Sequence, residues 1–270
     1  AIFTNLHGRS LIDMLPNRYV STVTAFLASL PDNKRITHVA IDMWAGYRRA
    51  VQEALPNAKI VVDKFHVLMK ANMAFEAVRR KIARESSNGA GLGLKRAHKL
   101  FDMRAKDLTD EQYLTVSGWL NTFPLLAAAY DLKERLYAIY DVTTPEEAWG
   151  EYLHWESTIP NELVKPYRVV KTAFRNWRPY ILNYFDDQRV TNAFTESFNA
   201  KVRAVYRNGR GYTFERLRAK VLYTDRFQKR VAMQEKVRVR KQKFEDVAVA
   251  RFMFLASTMD DEYETRIRSR

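Results

Sequence analysis

Short apolar runs alternate with helical patterns over the first sixty residues of the chain. Two apolar runs, residues 1–6 and 10–15, flank Gly8 and predict a β-hairpin in which this glycine supplies the turn. Apolar residues at helical spacing then predict helices over residues 20–30 and 45–55. The opening of the chain is therefore predicted to mix strands with helices.

Two compact β-rich runs in this region each end on a carboxylate. Residues 37–42 end at Asp42 and residues 59–63 end at Asp63. A strand, a helix and a second strand in this order predict a right-handed parallel crossover. Open α/β sheets place ligands and catalytic groups at the carboxyl ends of such strands. The alternative for each aspartate is a structural one, in which it caps the following helix or turn.

From residue 65 to residue 184, apolar residues recur at helical spacing and predict helices almost throughout. The expected breaks are residues 86–93, Pro124, Pro145, Pro160 and Pro179. The glycine-rich segment 86–93 predicts a flexible loop, because no Lys-Ser/Thr pair follows it at the spacing of a phosphate-binding loop. The tryptophans of this region are expected in the core. The fold class is thus α/β, with a sheet interrupted by a large helical segment.

A polar stripe follows on a further predicted helix. Its residues recur at steps of four, three and four, so they share one face: Asn192, Glu196, Asn199 and Arg203. The apolar residues Phe194, Phe198 and Val202 occupy another face. A solvated stripe is the alternative, but asparagines beside a single glutamate favour fixed hydrogen bonds.

Basic residues accumulate within and beyond this helix, around the glycines at 209 and 211. Guanidinium groups and an exposed glycine backbone suit contacts with DNA phosphates. The candidate DNA contacts are Asn192, Asn199, Lys201, Arg203, Arg207, Arg210 and Tyr212. Beyond Arg230, a solvated basic helix or one packed on an acidic neighbour is an equally good interpretation.

The composition agrees with a nucleic-acid partner. The 270 residues carry 45 Lys+Arg against 31 Asp+Glu, a formal net charge of +14, so an anionic partner is expected. Nucleic acid is favoured over acidic lipid or protein. The chain has no cysteine, which leaves oxygen or imidazole ligands for any metal. No apolar stretch of about 18 residues and no leader occur, so we expect a cytoplasmic protein with no membrane partner.

Three segments together resemble the ISL-three family of bacterial insertion-sequence transposases, which is related to the Mutator-like DDE transposases. The first is Val39-Ala40-Ile41-Asp42-Met43-Trp44-Ala45-Gly46-Tyr47, and the second runs from Pro56 to Val67. The third is Asn192 through Arg203 with the later Gly211-Tyr212-Thr213-Phe214. The resemblance covers about residues 1–223 and implies a bacterial protein near the nucleoid.

The resemblance implies a ribonuclease-H-like core in which three carboxylates hold two divalent ions, Mg²⁺ or Mn²⁺. Asp42 matches the second of these carboxylates and Glu196 the last, so both are expected as metal ligands. Asp63 and His66 match an Asp-x-x-His signature with a supporting catalytic role. The implied reaction is cleavage of DNA at the ends of an insertion sequence and transfer of the freed strand. DNA is thus the expected partner, together with a possible homo-oligomer.

The resemblance also implies an organisation of the chain and a departure from it. Residues 1–66 would begin the core, 67–186 would form an all-helical insertion, 187–230 would return to the core, and 231–270 would form a helical basic tail. The family's first catalytic aspartate lies on a strand upstream of the hairpin, so we expect that strand to be absent and the chain to be an inactive fragment. Asp13 does not match that position.

Two alternatives to the transposase interpretation stay open. In the first, the chain is a non-catalytic basic module that binds nucleic acid, and Asp42 and Glu196 are structural caps. In the second, it is a nuclease of the same fold. A separation of these two carboxylates beyond about 12 Å would favour the module, because ligands of a shared metal site must lie close together.

Overall fold

The computed structural model describes residues 1–86, 89–185, 190–191 and 193–224. The chain divides into two compact units. The first contains Ala1 and Leu15–Phe198, and the second contains Ile2–Met14 and the residues from Asn199 onward. The helical tail predicted over 231–270 lies outside the described residues.

Strands and helices follow the chain in this order. The strands are β1 (Ile2–Asn5), β2 (Ser10–Met14), β3 (His38–Ile41) and β4 (Lys59–Val62). The helices are α1 (Val20–Ser29), α2 (Ala45–Ala54), α3 (Lys64–Glu85), α4 (Gly89–Arg96), α5 (His98–Asp102), α6 (Asp110–Thr122), α7 (Pro124–Ile139), α8 (Pro145–Ser157), α9 (Asn161–Leu182) and α10 (Ala193–Asn208). Short 3₁₀ turns include Asn183–Phe185, and residues 214–224 are helical.

The described strands form two sheets of two strands each. Strands β1 and β2 pair antiparallel as the predicted hairpin, with a bulge between Phe3 and Thr4. Gly8 lies in the turn between the strands, as predicted, and the turn residue with positive φ is Arg9, at 43°. Strands β3 and β4 pair parallel, which confirms the predicted crossover. The α/β class is confirmed, while a ribonuclease-H-like mixed sheet stays a prediction.

The parallel pair lies in the interior of the first unit. Three successive residues of β4, Ile60 to Val62, are buried, as expected for an apolar strand covered on both faces. Helix α9 packs on β4, and Asn183 donates a hydrogen bond from Nδ2 to the Ile60 carbonyl at 2.8 Å. The helical segment and the parallel pair therefore share one core. The predicted segment boundaries at 66 and 186 stay predictions.

The helical segment is built around α3, which packs against both α7 and α9. Aromatic residues fill its interior, and their polar atoms have partners. The Trp155 indole donates to the Leu132 carbonyl at 2.8 Å, and the Tyr167 hydroxyl donates to the Ala129 carbonyl. Trp155 and Trp177 are buried, which confirms the core assignment for these two tryptophans.

Three of the predicted proline breaks are confirmed and the fourth was wrong. Pro124 and Pro145 open α7 and α8, and Pro160 precedes α9. Pro179 instead lies inside α9 on an exposed position near its end, where losing one backbone hydrogen bond costs least. The break at 86–93 is confirmed at its start, since α3 ends at Glu85, but the predicted loop was wrong over residues 89–93, which are helical in α4.

Close packing explains why those glycines are helical. A Cβ on Gly91 would lie 2.4 Å from the Ala83 carbonyl oxygen, and one on Gly93 would lie 2.6 Å from the Trp119 ring. Glycine therefore lets α4 approach α3 and the indole of α6. The glycines serve close approach and not a flexible loop.

The described part of the second unit contains the hairpin, the end of α10 and residues 214–224. Arg218 donates two hydrogen bonds to the Asp13 carboxylate, both at 2.6 Å. This forked pair joins residues far apart in sequence and gives Asp13 a structural partner. Buried apolar residues of this unit are Met14, Val202, Leu217 and Val221.

No helix in the part of the chain that the structure describes has both the length and the apolar character needed to span a membrane.

Candidate active site

The site begins at the carboxyl end of the parallel pair. Ile41 and Val62 are paired in register, so Asp42 and Asp63 follow adjacent strand ends, as predicted. The Asp42 carbonyl accepts a hydrogen bond from the Trp44 amide at 2.8 Å, which turns the chain between β3 and α2. The Asp42 side chain leaves the sheet at this turn and is half-buried.

Aromatic residues hold the loop after Asp42 in place. The Trp44 ring lies across Gly46, where an added Cβ would come within 2.2 Å of it. The same indole meets Tyr47 edge-on, with ring centroids 4.7 Å apart, and the Arg18 guanidinium lies 5.0 Å from its centroid. Glycine at position 46 is thus required for this stack, which fixes the shape of the loop that carries Asp42.

The helix after β4 and the helix after the helical segment bring in two further groups. His66 lies in the first turn of α3, and Glu196 lies in the first turn of α10. The His66 Nε2 atom is 3.7 Å from a Glu196 carboxylate oxygen. His66 is largely buried, at 18% side-chain exposure, while Glu196 is more open at 37%. The structure therefore brings together two of the predicted site residues that are distant in sequence.

The pKa of Asp42 is shifted by charged groups of the same cluster. Burial raises the pKa of the Asp42 carboxyl, and the negative charge of Glu196 raises it further. His66 and Arg18 act in the opposite direction on the same pKa. The charges of Glu196 and His66 thus both act on the Asp42 carboxyl.

Tyr47 faces the same carboxylate. Burial raises the pKa of the Tyr47 hydroxyl, and the charge of Asp42 raises it further. Asp42 after β3 and Tyr47 in the first turn of α2 thus form one side of the cluster, beside Arg18 from the segment before α1.

The oxygen atoms of these carboxylates are the type of ligand that a hard divalent cation prefers. One Asp42 oxygen, Oδ1, is buried without a hydrogen-bond partner among the described residues, as is His66 Nε2. Buried polar atoms normally have partners, so an orphaned carboxylate oxygen beside a second carboxylate is suited to a cation. The described residues nevertheless contain no group of three or more histidine or acidic side chains arranged to hold a metal. The two carboxylates are therefore at most part of a complete ligand set.

Asp63 occupies a different environment from Asp42. It is buried, at 1% exposure, and precedes α3. Its charge adds to the effect of burial in raising the pKa of Tyr140. Its carbonyl accepts a hydrogen bond from the His66 amide at 3.1 Å. Asp63 is thus a buried residue at the start of α3, the helix that carries His66. Its catalytic role stays a prediction.

The predicted DNA contacts that the structure describes are mostly exposed. Lys201, Arg203, Arg207 and Arg210 are exposed, and Asn199 is partly so. Tyr212 accepts a hydrogen bond from Lys220 at 2.9 Å, beside a turn in which Arg210 and Gly211 have φ of 43° and 93°. Asn192 lies outside the described residues. Contact of this set with DNA stays a prediction.

Two residues of the cluster escaped the sequence analysis. Tyr47 lies in the first of the segments that resemble the ISL-three family, and nothing in its spacing indicates a role. Arg18 follows the hairpin without any motif, and only the fold brings its guanidinium to Trp44 and Asp42.

The chain is similar in sequence to known transposases. A family model described as a transposase, that of the ISL-three DDE group, matches residues 1–221. The transposase for insertion sequence element IS1001 of Bordetella parapertussis is 24% identical over 212 residues, covering 76% of this chain. The chain spans 52% of that relative's length. No solved structure matches the present chain. Since the family model covers most of its length, the chain belongs to the ISL-three family of transposases.

Proposed function

We propose that this chain carries part of the catalytic site of a transposase that cuts DNA at the ends of an insertion sequence and joins the freed strand to new DNA. Asp42 and Glu196 are the proposed ligands of Mg²⁺ or Mn²⁺. The observation that supports this most is the convergence of Asp42, His66 and Glu196 from three separate elements.

Phosphodiester cleavage explains why carboxylates are needed. Two divalent ions about 4 Å apart activate the attacking oxygen and neutralise the leaving oxygen. Carboxylates are the hard ligands these ions prefer, and the chain has no thiolate that would favour a softer metal. Asp42 supplies a buried oxygen with no competing hydrogen bond, and Glu196 supplies a more open carboxylate.

His66 is proposed as a positioning residue and not as a ligand. Its Nε2 atom faces the Glu196 carboxylate at 3.7 Å, so a small adjustment would let it donate a hydrogen bond there. Such partners orient ligand side chains and are fixed themselves by burial. Asp63, beneath the same helix turn, is proposed to support that turn.

The structure favours this proposal over a non-catalytic module. A cap would use its side chain to satisfy backbone amides, but α2 has no side-chain cap and Asp42 Oδ1 has no hydrogen-bond partner among the described residues. Glu196 faces His66, and its charge acts on the Asp42 carboxyl. Both carboxylates thus face a shared cluster, which structural caps have no reason to do.

The proposed substrate is DNA, bound largely through its phosphates. The exposed basic residues of α10 and the following turn are the proposed contacts, and the net charge of +14 supplies long-range attraction.

A strand-transfer assay on the full-length gene product tests the function. With Mn²⁺ present, we expect DNA ends from the element to be joined to a supercoiled plasmid. Asp42→Asn and Glu196→Gln should each abolish joining, while Asp131→Asn, at an exposed carboxylate in α7, should not. Hydrolysis without joining would favour the nuclease, and full activity of Asp42→Asn would exclude the proposed site.

A further inference from the structure

A cleft of about 360 Å³ opens between α3, α9 and the loop after β3. Its lining includes Lys70 from α3 and Lys165, Arg168, Asn176 and Trp177 from α9. Met43, the residue after Asp42, completes it from the loop. All of these residues belong to the first unit.

The cleft is positively charged and its charges are not neutralised. No acidic residue lines it, and Lys70, Lys165 and Arg168 form no ion pair with any residue that the structure describes. On α9, Lys165, Arg168 and Asn176 fall close to one face, since 3.6 residues per turn bring Arg168 within about 60° and Asn176 within about 20° of Lys165. Three cations around one concavity attract an anion, because low-dielectric walls focus their field.

The floor of the cleft is apolar. Met43, Val169 and the largely buried Trp177 supply this surface beside the cations. The Arg48 guanidinium lies 4.8 Å from the Trp177 ring centroid and helps hold the indole in place. A bare phosphate would use only the cations, whereas a nucleotide would use both parts of the lining.

The cleft also lies beside the candidate active site. Met43 follows Asp42 directly, and consecutive Cα atoms are about 3.8 Å apart. A DNA strand advances by about 3.4 Å per nucleotide along a duplex. A strand held in this cleft would therefore pass within a few nucleotides of the Asp42 carboxylate.

We propose that this cleft binds a backbone phosphate and the adjoining nucleoside of a DNA strand and so directs the strand to Asp42 and Glu196. The proposal rests on the proposed function and assigns the helical segment a part in holding substrate. The binding is independent of base sequence, because cations and an apolar floor read the backbone and stacking surface only.

Charge reversal tests the cleft with the 270-residue chain. Lys165 and Arg168 are exposed, so Lys165→Glu with Arg168→Glu should leave the fold intact. The matched control is Lys81→Glu with Lys95→Glu, which makes the same charge change at exposed helical positions outside the cleft. Binding of a labelled DNA duplex is measured by fluorescence anisotropy over a series of salt concentrations.

The cleft variant should bind DNA at least about tenfold more weakly than the control variant. Its salt slope should fall by about 0.9, the contribution of the one phosphate contact that the cleft makes. Equal losses in the two variants would overturn the proposal, since only net charge would then matter.

Two further arms separate this inference from the proposed function. A photoreactive nucleotide in the DNA should cross-link to Met43 or to α9. Cross-links that avoid these residues would overturn the cleft assignment, whatever the strand-transfer assay shows. Inorganic phosphate at matched ionic strength should compete poorly; displacement of the DNA by phosphate alone would indicate a free-anion site instead.

Discussion

At the scale of single residues, opposing effects act on the pKa of Asp42. Burial and the charge of Glu196 favour its protonated form, whereas His66 and Arg18 favour the carboxylate. Two acids placed together in a partly buried site repel each other, which costs stability unless a cation lies between them. A divalent ion would remove this repulsion, and that is the physical reason to expect one.

His66 should act through Glu196. His66→Ala removes the imidazole that faces the carboxylate, so we expect a loss of about 10–100-fold in Mn²⁺ affinity, the usual effect of removing a group that orients a ligand. His66→Asn, which keeps a donor, should recover part of the loss. Calorimetric titration with Mn²⁺ measures both variants, and an unchanged affinity in His66→Ala would remove the residue from the site.

Gly46 should be intolerant of a methyl group. Gly46→Ala forces the Trp44 indole out of its stack, so the free energy of unfolding should fall by about 1–3 kcal/mol. Gly118→Ala in α6 is the control, because nothing lies within 4 Å of its added Cβ and alanine favours a helix. Urea denaturation compares them, and equal stability of the two variants would contradict the close contact.

At the scale of elements, the predictable features are those set by local periodicity. The hairpin, the crossover and the helices α1 and α2 were predicted within about two residues, because they follow local apolar spacing. The helical glycines of α4 were missed because their role depends on Ala83 and Trp119, which no local pattern reveals. Pro179 was misjudged because its tolerance depends on which face of α9 is exposed.

The C-terminal end of α4 is held by a buried guanidinium. Arg79, at 5% side-chain exposure, donates to the Leu94 carbonyl and to both oxygens of Glu76. Hydrogen bonding from Arg79, together with that from Arg80, lowers the pKa of the Glu76 carboxyl. Glu76 thus orients the guanidinium that connects α3 with α4.

Glu76→Gln should lower the free energy of unfolding by about 1–3 kcal/mol at neutral pH, toward the lower end because Glu76 is partly exposed. A lowered pKa in the folded state gives stability that is present above the unfolded pKa and lost as pH falls through the folded pKa. The difference between wild type and variant should therefore shrink below about pH 4.3. A difference that persists at pH 2 would contradict this origin; Glu53→Gln, at an exposed pair, should show a smaller effect.

At the scale of the whole molecule, charge and long-range convergence determine function. The excess of basic residues predicts a polyanion partner from composition alone. The pairing of Glu196 with Asp42 followed only from resemblance, because more than a hundred residues of helix lie between them. Arg18 could not be predicted at all, since its position depends on how the first unit folds.

DNA binding by the chain should depend steeply on salt. If six to ten phosphates are contacted, affinity should fall about 10³–10⁵-fold between roughly 50 and 200 mM salt. Gel-shift titrations across this range measure the slope. Affinity that stays constant over the range would exclude an electrostatic mode of binding.

The most direct test of the central claim is Mn²⁺ binding by the chain, followed by electron paramagnetic resonance. If Asp42 and Glu196 hold the same ion, Asp42→Asn and Glu196→Gln should each remove most of the affinity. The double variant should then be little worse than either one, because neither carboxylate binds well alone. Asp131→Asn should bind like the wild type. Wild-type affinity in either single variant, or losses that simply add in the double variant, would contradict a shared divalent site.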